Sequence, residues 1–337
     1  MQKNTWKGKH GPLLIAEIGG NHEGDFDYAK RLTQLAIGAK VDFIKFQLYS
    51  GDTLVSKIES PVRNQHFKKF ELNKKYYIEL AEMCQEAGIG FMASVWNPEY
   101  FEWIDPYMPI YKIGSGDMTA YPILRATARL NKPIILSTGL ATLQEVLETV
   151  AFLQGENALY EDPEYLAILQ CTSMYPIPFE DANLSVMQTY KAVTGLPVGY
   201  SDHTEGSRAL ATAAAMGAQI LEFHFTDSRE GKSFRDHKVS LTQTEVLQLI
   251  TEIQTIRQLQ GSPLKRPLAI EGEHVTSFRR AVYPLNDIPS GTIIEEKHLV
   301  CLRPNHGIDA RDYNQLIGKR TNINLAAHQR LEWGYFE

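Results

Sequence analysis

Short runs of aliphatic and β-branched residues alternate along the chain with longer segments whose apolar positions recur every three or four residues. The runs at 13–18, 42–48, 90–95, 110–114, 133–137, 166–171, 197–201 and 219–225 have the length and side-chain type of buried parallel strands. Between them, Ala29, Leu32, Ala36 and Ala39 recur with helical spacing, as do Tyr77, Leu80, Ala81, Cys84 and Ala87, a run that Gly88 closes. Thr142 with Glu145, and Thr242 with Glu245, have capping-box spacing ahead of apolar-periodic segments. Asn183 is expected to cap a helix that carries Val186, Tyr190 and Val193 and ends at Gly195. Eight strand–helix alternations over about 250 residues predict a (β/α)8 TIM barrel. A doubly wound open sheet gives the same alternation but announces itself by a Gly-rich turn after its first strand. Here that turn reads Gly19-Gly20-Asn21-His22-Glu23-Gly24, which is no GxGxxG match.

The alternation stops near Gly261. Gly261-Ser262-Pro263, Pro267 and Glu271-Gly272-Glu273-His274 have linker composition, and short strands with tight turns such as Pro289-Ser290-Gly291 follow. The expected organisation is a barrel over 1–265, a linker over 266–277 and a small β-rich domain over 278–337. Roughly 60 residues support only a marginal core, so this last domain is expected to dock on something.

Composition removes several functional classes. With 34 Lys and Arg against 40 Asp and Glu, the net charge of −6 argues against a nucleic-acid binder. An anionic ligand would need a local cluster of cations. Cys84, Cys171 and Cys301 are odd in number, far apart and lack CxxC spacing, which argues against a disulfide framework or a zinc ribbon. The N-terminal apolar run ends at Glu17, and no stretch approaches the ~20 apolar residues of a membrane span. A cytoplasmic protein without membrane partners is the expectation.

A barrel carries its active site at the C-terminal ends of its strands, so those eight ends test function. They deliver Glu17; Lys45 and Gln47; Ser94 and Trp96; Lys112, Ser115 and Asp117; Ser137; Ser173 and Tyr175; Ser201 and His203; and Glu222 and His224. An unpaired buried ammonium is costly, so Lys45 and Lys112 are expected to share an anionic ligand. Pairing of Glu17 with one of them, or snorkelling of the stems, is the plainer reading. Ser115 and Ser137 are either ordinary turn residues or part of a phosphate cradle with the neighbouring glycines. His203 and His224, on consecutive strand ends, are open to a structural reading and to a metal reading. Two imidazoles without a third His or Cys suit an open manganese, magnesium or iron-like site rather than a closed zinc site.

In order along the chain, several segments resemble the N-acetylneuraminate (sialic acid) synthase family. They are Ala16-Glu17-Ile18-Gly19 with Asn21-His22-x-Gly24, Lys45-Phe46-Gln47, Tyr111-Lys112-Ile113-Gly114-Ser115-Gly116-Asp117 and Ser137-Thr138-Gly139. Further on, Cys171-Thr172-Ser173-x-Tyr175-Pro176, Gly199-Tyr200-Ser201-Asp202-His203-Thr204, Glu222-x-His224-Phe225-Thr226 and Asp236-His237-Lys238 continue the match. The tail, with Asp287-Ile288-x-x-Gly291 and Leu302-Arg303-Pro304-x-x-Gly307-Ile308, resembles the family's C-terminal antifreeze-like (SAF) domain.

The resemblance implies a homodimer with swapped C-terminal domains. It implies condensation of phosphoenolpyruvate with an open-chain acylamino-hexose to a nine-carbon 2-keto acid, with phosphate lost by C–O cleavage. It implies His203 and His224 as ligands of a divalent metal (manganese or magnesium) and Glu17 beside the reacting centre. Lys45, Lys112, Ser115, Ser137, Ser173 and Ser201 would hold phosphoenolpyruvate; Gln47, Tyr175 and Asp236 would face the sugar; Arg303 would reach the partner's pocket.

The chain departs from the family where Glu, Lys and Asn are usual, at Asp117, Phe223 and Ser173. It also has Ala93-Ser94-Val95-Trp96 for the family's Ser-Thr-Pro-Phe, and its segment 229–235 is altered. These departures bear on the acceptor sugar rather than on the reaction class. Three other readings remain: a synthase that takes an aldose phosphate, a metallohydrolase barrel, and a non-catalytic carbohydrate-binding protein.

Overall fold

The computed structural model describes residues 4–337, which divide into two compact units, one ending at Gly261 and one spanning Ser262–Glu337. The first is a barrel of eight parallel strands: β1 (Gly11–Glu17), β2 (Phe43–Leu48), β3 (Gly90–Val95), β4 (Tyr111–Ile113), β5 (Ile134–Ser137), β6 (Leu166–Cys171), β7 (Val198–Asp202) and β8 (Ile220–His224). Hydrogen-bonded order runs β3-β2-β1-β8-β7-β6-β5-β4, and β3 and β4 stand side by side to close the ring. The expected strands all form, with ends moved by no more than two residues.

Side chains pointing into the barrel alternate with those pointing at the helices, as the pleat requires. Leu13, Ile15, Met92, Ile110, Ile135, Ala167, Leu169 and Ile220 fill the lower interior. Trp6 joins this cluster from an arm whose Lys7–Gly8 segment pairs antiparallel with β1, and its indole donates to Pro163 O at 2.6 Å. Two residues further along the same strands the inward positions turn polar: Glu17, Ser94, Lys112, Ser137 and Glu222. The apolar layers therefore form the floor of a polar chamber.

Helix ends follow local chemistry. Thr142 and Glu145 form a reciprocal capping box, Glu245 accepts from both Thr242 N and Oγ1, and Gly195 takes the left-handed C-cap conformation. Asn183 does not cap its helix. It adopts φ 47° in the preceding turn, a conformation Asn tolerates, and the helix Val186–Thr194 begins after Ser185. Val193 on that helix is 51% exposed, so the apolar face there is narrower than expected. Helices Gly51–Leu54 and Pro61–Phe70 follow β2 and went unanticipated, since their mostly polar sequence carries no core stripe.

The second unit pairs β9 (Ala281–Pro284) antiparallel with β10 (Leu299–Leu302) around Val282, Ile288, Ile294, Leu299, Ile308, Leu316, Leu325, Leu331 and Phe336. Among the described residues no helix is long and apolar enough to cross a membrane.

Candidate active site

A cleft of about 1190 Å³ opens over the polar chamber. It is lined by Glu17, Lys45, Gln47, Ser94, Lys112, Ser115, Asp117, Ser137, Ser173, Tyr175, Ser201, His203, His224 and Asp236. Every barrel residue singled out from the sequence thus meets in one place. Arg303 lies in the second unit, exposed, with its guanidinium 5.6 Å from the Phe278 ring centroid.

At the floor, register sets Glu17 level with Lys45 on one side and His224 on the other. Lys45 Nζ donates to Glu17 Oε2 at 2.5 Å and lies 3.2 Å from Glu222 Oε1. Lys112 Nζ donates to Ser137 Oγ at 2.6 Å and to Ile113 O at 3.1 Å, and it stands 3.4 Å from Glu222 Oε2. The plainer reading, Glu17 paired with one of the two lysines, is thus what the structure shows, in place of an unpaired pair awaiting an anion. Glu222 bridges both, and Glu17 pairs with Lys45. Glu222 was absent from the expected site residues. Its signal was the inward alternation Ile220, Glu222, His224.

The two buried carboxylates are driven apart. For Glu17, burial raises the pKa, Lys45 lowers it and Glu222 raises it again, leaving it above the ordinary range. For Glu222, burial is outweighed by Lys112 and Lys45, which hold its carboxyl well below that range. Glu222 is thus the permanent anion and Glu17 the member able to exchange a proton. Burial lowers Lys112, Glu222 opposes this, and nearby Lys45 adds to it. Gly19 makes room for Glu17: it adopts φ +54°, and a Cβ there would stand 2.7 Å from Glu17 Oε1.

Beside Lys112 the turns after β4, β5 and β6 form a cradle. Gly139 N–H donates to Ser115 Oγ at 3.0 Å, and a Cβ at Gly139 would overlap Ser173 Oγ and lie 2.9 Å from Ser115 Oγ. Hydroxyls, backbone N–H groups and an ammonium are what a phosphate oxygen requires.

Next to the cradle, at the ends of β7 and β8, the rings of His203 and His224 stand 5.4 Å apart, with Tyr175 packed 3.9 Å from the first and edge-on to the second. His203 Nδ1 lies 2.6 Å from Thr172 O, which makes it a nitrogen that carries a proton and leaves Nε2 as the candidate ligand atom. His224 Nδ1 is buried without a partner, 3.8 Å from Asp236 Oδ2. Burial, with His203 adding, keeps the His224 imidazole neutral well below its ordinary pKa. Among the described residues no group of three His, Cys, Asp or Glu converges as ligands. The two imidazoles, one with an orphaned nitrogen, fit an open divalent-ion site completed by substrate and water.

The outer cleft is aromatic. Trp96 packs at 5.1 Å on Tyr49, and His66, Phe70 and Phe234 form a second cluster with centroids 4.4–5.7 Å apart. Arg235 spans the rim, 4.5 Å above the Tyr175 ring and 3.1 Å from Asp236 Oδ1. Phe234 and Arg235 come from a loop, and His66 and Phe70 from the mostly polar helix Pro61–Phe70, so none carries a periodic apolar signal. Phe223 faces the other way, buried between barrel and helices, so that departure from the family pattern leaves the cleft wall untouched.

The NeuB family model matches residues 32–265 and the SAF domain model matches 279–337. The chain belongs to the NeuB family. Two relatives named N,N'-diacetyllegionaminic acid synthase support this. The one from Campylobacter jejuni is 35% identical, covering 93% of this chain and 96% of its own. The one from Legionella pneumophila is 34% identical over 96% and 94%. The crystal structure of an N-acetylneuraminic acid (sialic acid) synthetase from Leptospira borgpetersenii superposes with a TM-score of 0.71 at 32% identity, covering 78% of this chain and 90% of that one. NeuB-family relatives carry the names of nonulosonic acid synthases, and membership makes this chain an enzyme.

Proposed function

We propose that the protein is a nonulosonic acid synthase that joins phosphoenolpyruvate to the open-chain aldehyde of an acylamino-hexose, giving a nine-carbon 2-keto acid and phosphate. The observation that carries this reading is the convergence of the Lys112–serine cradle, the Glu17–Lys45–Glu222 cluster and the imidazole pair on one cleft. A divalent ion held by His203 and His224 would supply Lewis-acid polarisation of the aldehyde oxygen.

The protein's own groups do the rest. Lys112, Ser115, Ser137, Ser173 and Ser201 hold the phosphate and carboxylate of phosphoenolpyruvate, with Lys45 offsetting their charge. Gln47, Ser94, Asp117, Tyr175 and Asp236 orient the sugar. C3 of phosphoenolpyruvate bonds to the aldehyde carbon as its double bond is consumed, leaving positive character at C2 that Glu17 stabilises. Water adds at C2, and Glu17 takes one of its protons and returns it to the alkoxide left on the former aldehyde oxygen. The C2–O bond to phosphate breaks as the C2 hydroxyl gives its proton to the departing phosphate and becomes the keto oxygen. Arg303 completes the sugar site across a homodimer with exchanged C-terminal domains.

A second reading, in which the acceptor is a hexose phosphate, is favoured by Arg63 and Lys69, which reach the outer wall of the cleft. The test is phosphate release from phosphoenolpyruvate with N-acetylmannosamine, its 6-phosphate and diacetamido-hexoses, with manganese or magnesium. No turnover with any of them, and no binding of phosphoenolpyruvate by calorimetry, overturns the proposal. Manganese titrations should show one site in the native protein and none in His203→Ala or His224→Ala. Binding retained in both variants removes the ligand assignment.

A further inference from the structure

Among the described residues the Trp96 indole N–H makes no hydrogen bond of good geometry, although it faces the Asp117 carboxylate closely enough to favour its charged form. An orphaned buried donor costs about 1–3 kcal/mol, and phenylalanine, which the family pattern has at this position, would fill the wall at no such cost. Trp96 stands two residues past Ser94 on the β3 end and lines the cleft. Asp117, on the turn after the adjacent β4, lines the same corner. Its carboxyl leans back across Gly114 toward β3: a Cβ on Gly114 would lie 3.4 Å from Asp117 Oδ2 and 3.9 Å from Ser94 Oγ. Beneath them Tyr49 buttresses the Trp96 ring.

Two departures thus coincide. The chain gains a donor on the β3 end, and it draws the acid of the β4 turn back by one methylene. We propose that Trp96 and Asp117 together read one hydroxyl group of the acceptor sugar, the indole N–H donating to its oxygen and the Asp117 carboxylate accepting its hydrogen. This rests on the acceptor being a sugar, as proposed above.

The chemistry of the two groups selects the ligand. A donor and an acceptor in one corner match a hydroxyl, which accepts and donates through a single atom. A trans amide presents its N–H and C=O in opposite directions and cannot satisfy both. A methylene satisfies neither and leaves two buried polar groups unpaired, which is the strongest form of discrimination a pocket has. The pair therefore selects hydroxylated over deoxygenated acceptors at one carbon.

The experiment is a cycle between substrate and protein. Initial rates are measured at pH 8 for the native enzyme and for Trp96→Phe, using the best acceptor and analogues that lack one hydroxyl at a time. In the native enzyme one analogue should lose at least tenfold in kcat/KM. In Trp96→Phe the same analogue should lose less than threefold, with KM for phosphoenolpyruvate unchanged. Parallel losses across all analogues, or no change, would mean that Trp96 only packs or only supports Asp117, and would overturn the proposal. Absence of turnover with every acceptor would instead indict the synthase reading itself.

Discussion

Replacing Asp117 by asparagine isolates the electrostatic cost of that corner. Burial lifts the Asp117 carboxyl from 3.8 to about 6, while the Trp96 indole and the Lys112 charge pull it partly back. The folded protein therefore binds this proton more tightly than the unfolded chain does. The sign follows: the carboxyl's contribution is fully present below pH 3.8 and is lost as pH rises through about 6. At about 1.4 kcal/mol per pH unit, ionising the group inside the fold costs at most about 3 kcal/mol at neutral pH, and about 2 once its residual exposure is allowed for. An amide of the same shape carries no such cost. Asp117→Asn should thus be about 2 kcal/mol more stable than the native protein at pH 7.5, with the difference shrinking toward pH 4.5. Paired urea titrations of the barrel across that range measure it. A stability difference that stays constant with pH would refute the reasoning.

Other substitutions probe the floor and the second domain. Glu222→Gln leaves Lys45 and Lys112 without their shared anion and should lower barrel stability by about 3–5 kcal/mol; a thermal midpoint within 2 °C of the native value would count against the bridge. Gly139→Ala puts a methyl group into the serine cradle and should raise KM for phosphoenolpyruvate at least tenfold while acceptor KM holds; equal changes in both would mean general disruption. Mixing Arg303→Ala with Glu17→Gln should regain up to a quarter of native activity if the arginine acts across subunits. Mixed dimers without regained activity would exclude the exchange.

Much of this architecture was legible because it depends on short-range pattern. The eight strands and their polar ends follow from apolar runs that finish in charge, and all the barrel residues chosen from those ends line one cleft. Glu222 shows in the sequence only as a strand-end carboxylate without a role, because pairing across the barrel depends on register and cannot be counted along one strand. The same blindness hid the second anion of Lys45 and the partner of Lys112, both supplied by Glu222 on β8, although the Glu17–Lys45 pair was open to view. The rim was harder still. Phe234 and Arg235 owe their places to a loop, and His66 and Phe70 to a short helix without a core stripe, and nothing periodic marks any of them. Asn183 failed for a simpler reason, since its composition suits a helix cap and a left-handed turn equally.

The arm that carries Trp6 has a kinetic corollary. Among the described residues its indole and the apolar layers together stopper the cylinder from below, so traffic passes through the cleft over the strand ends. Whatever lodges against the two deep ammonium groups sits behind whatever lodges at the aromatic rim. Entry is then compulsorily sequential, the inner guest first, and the outer one must vacate before the inner can escape.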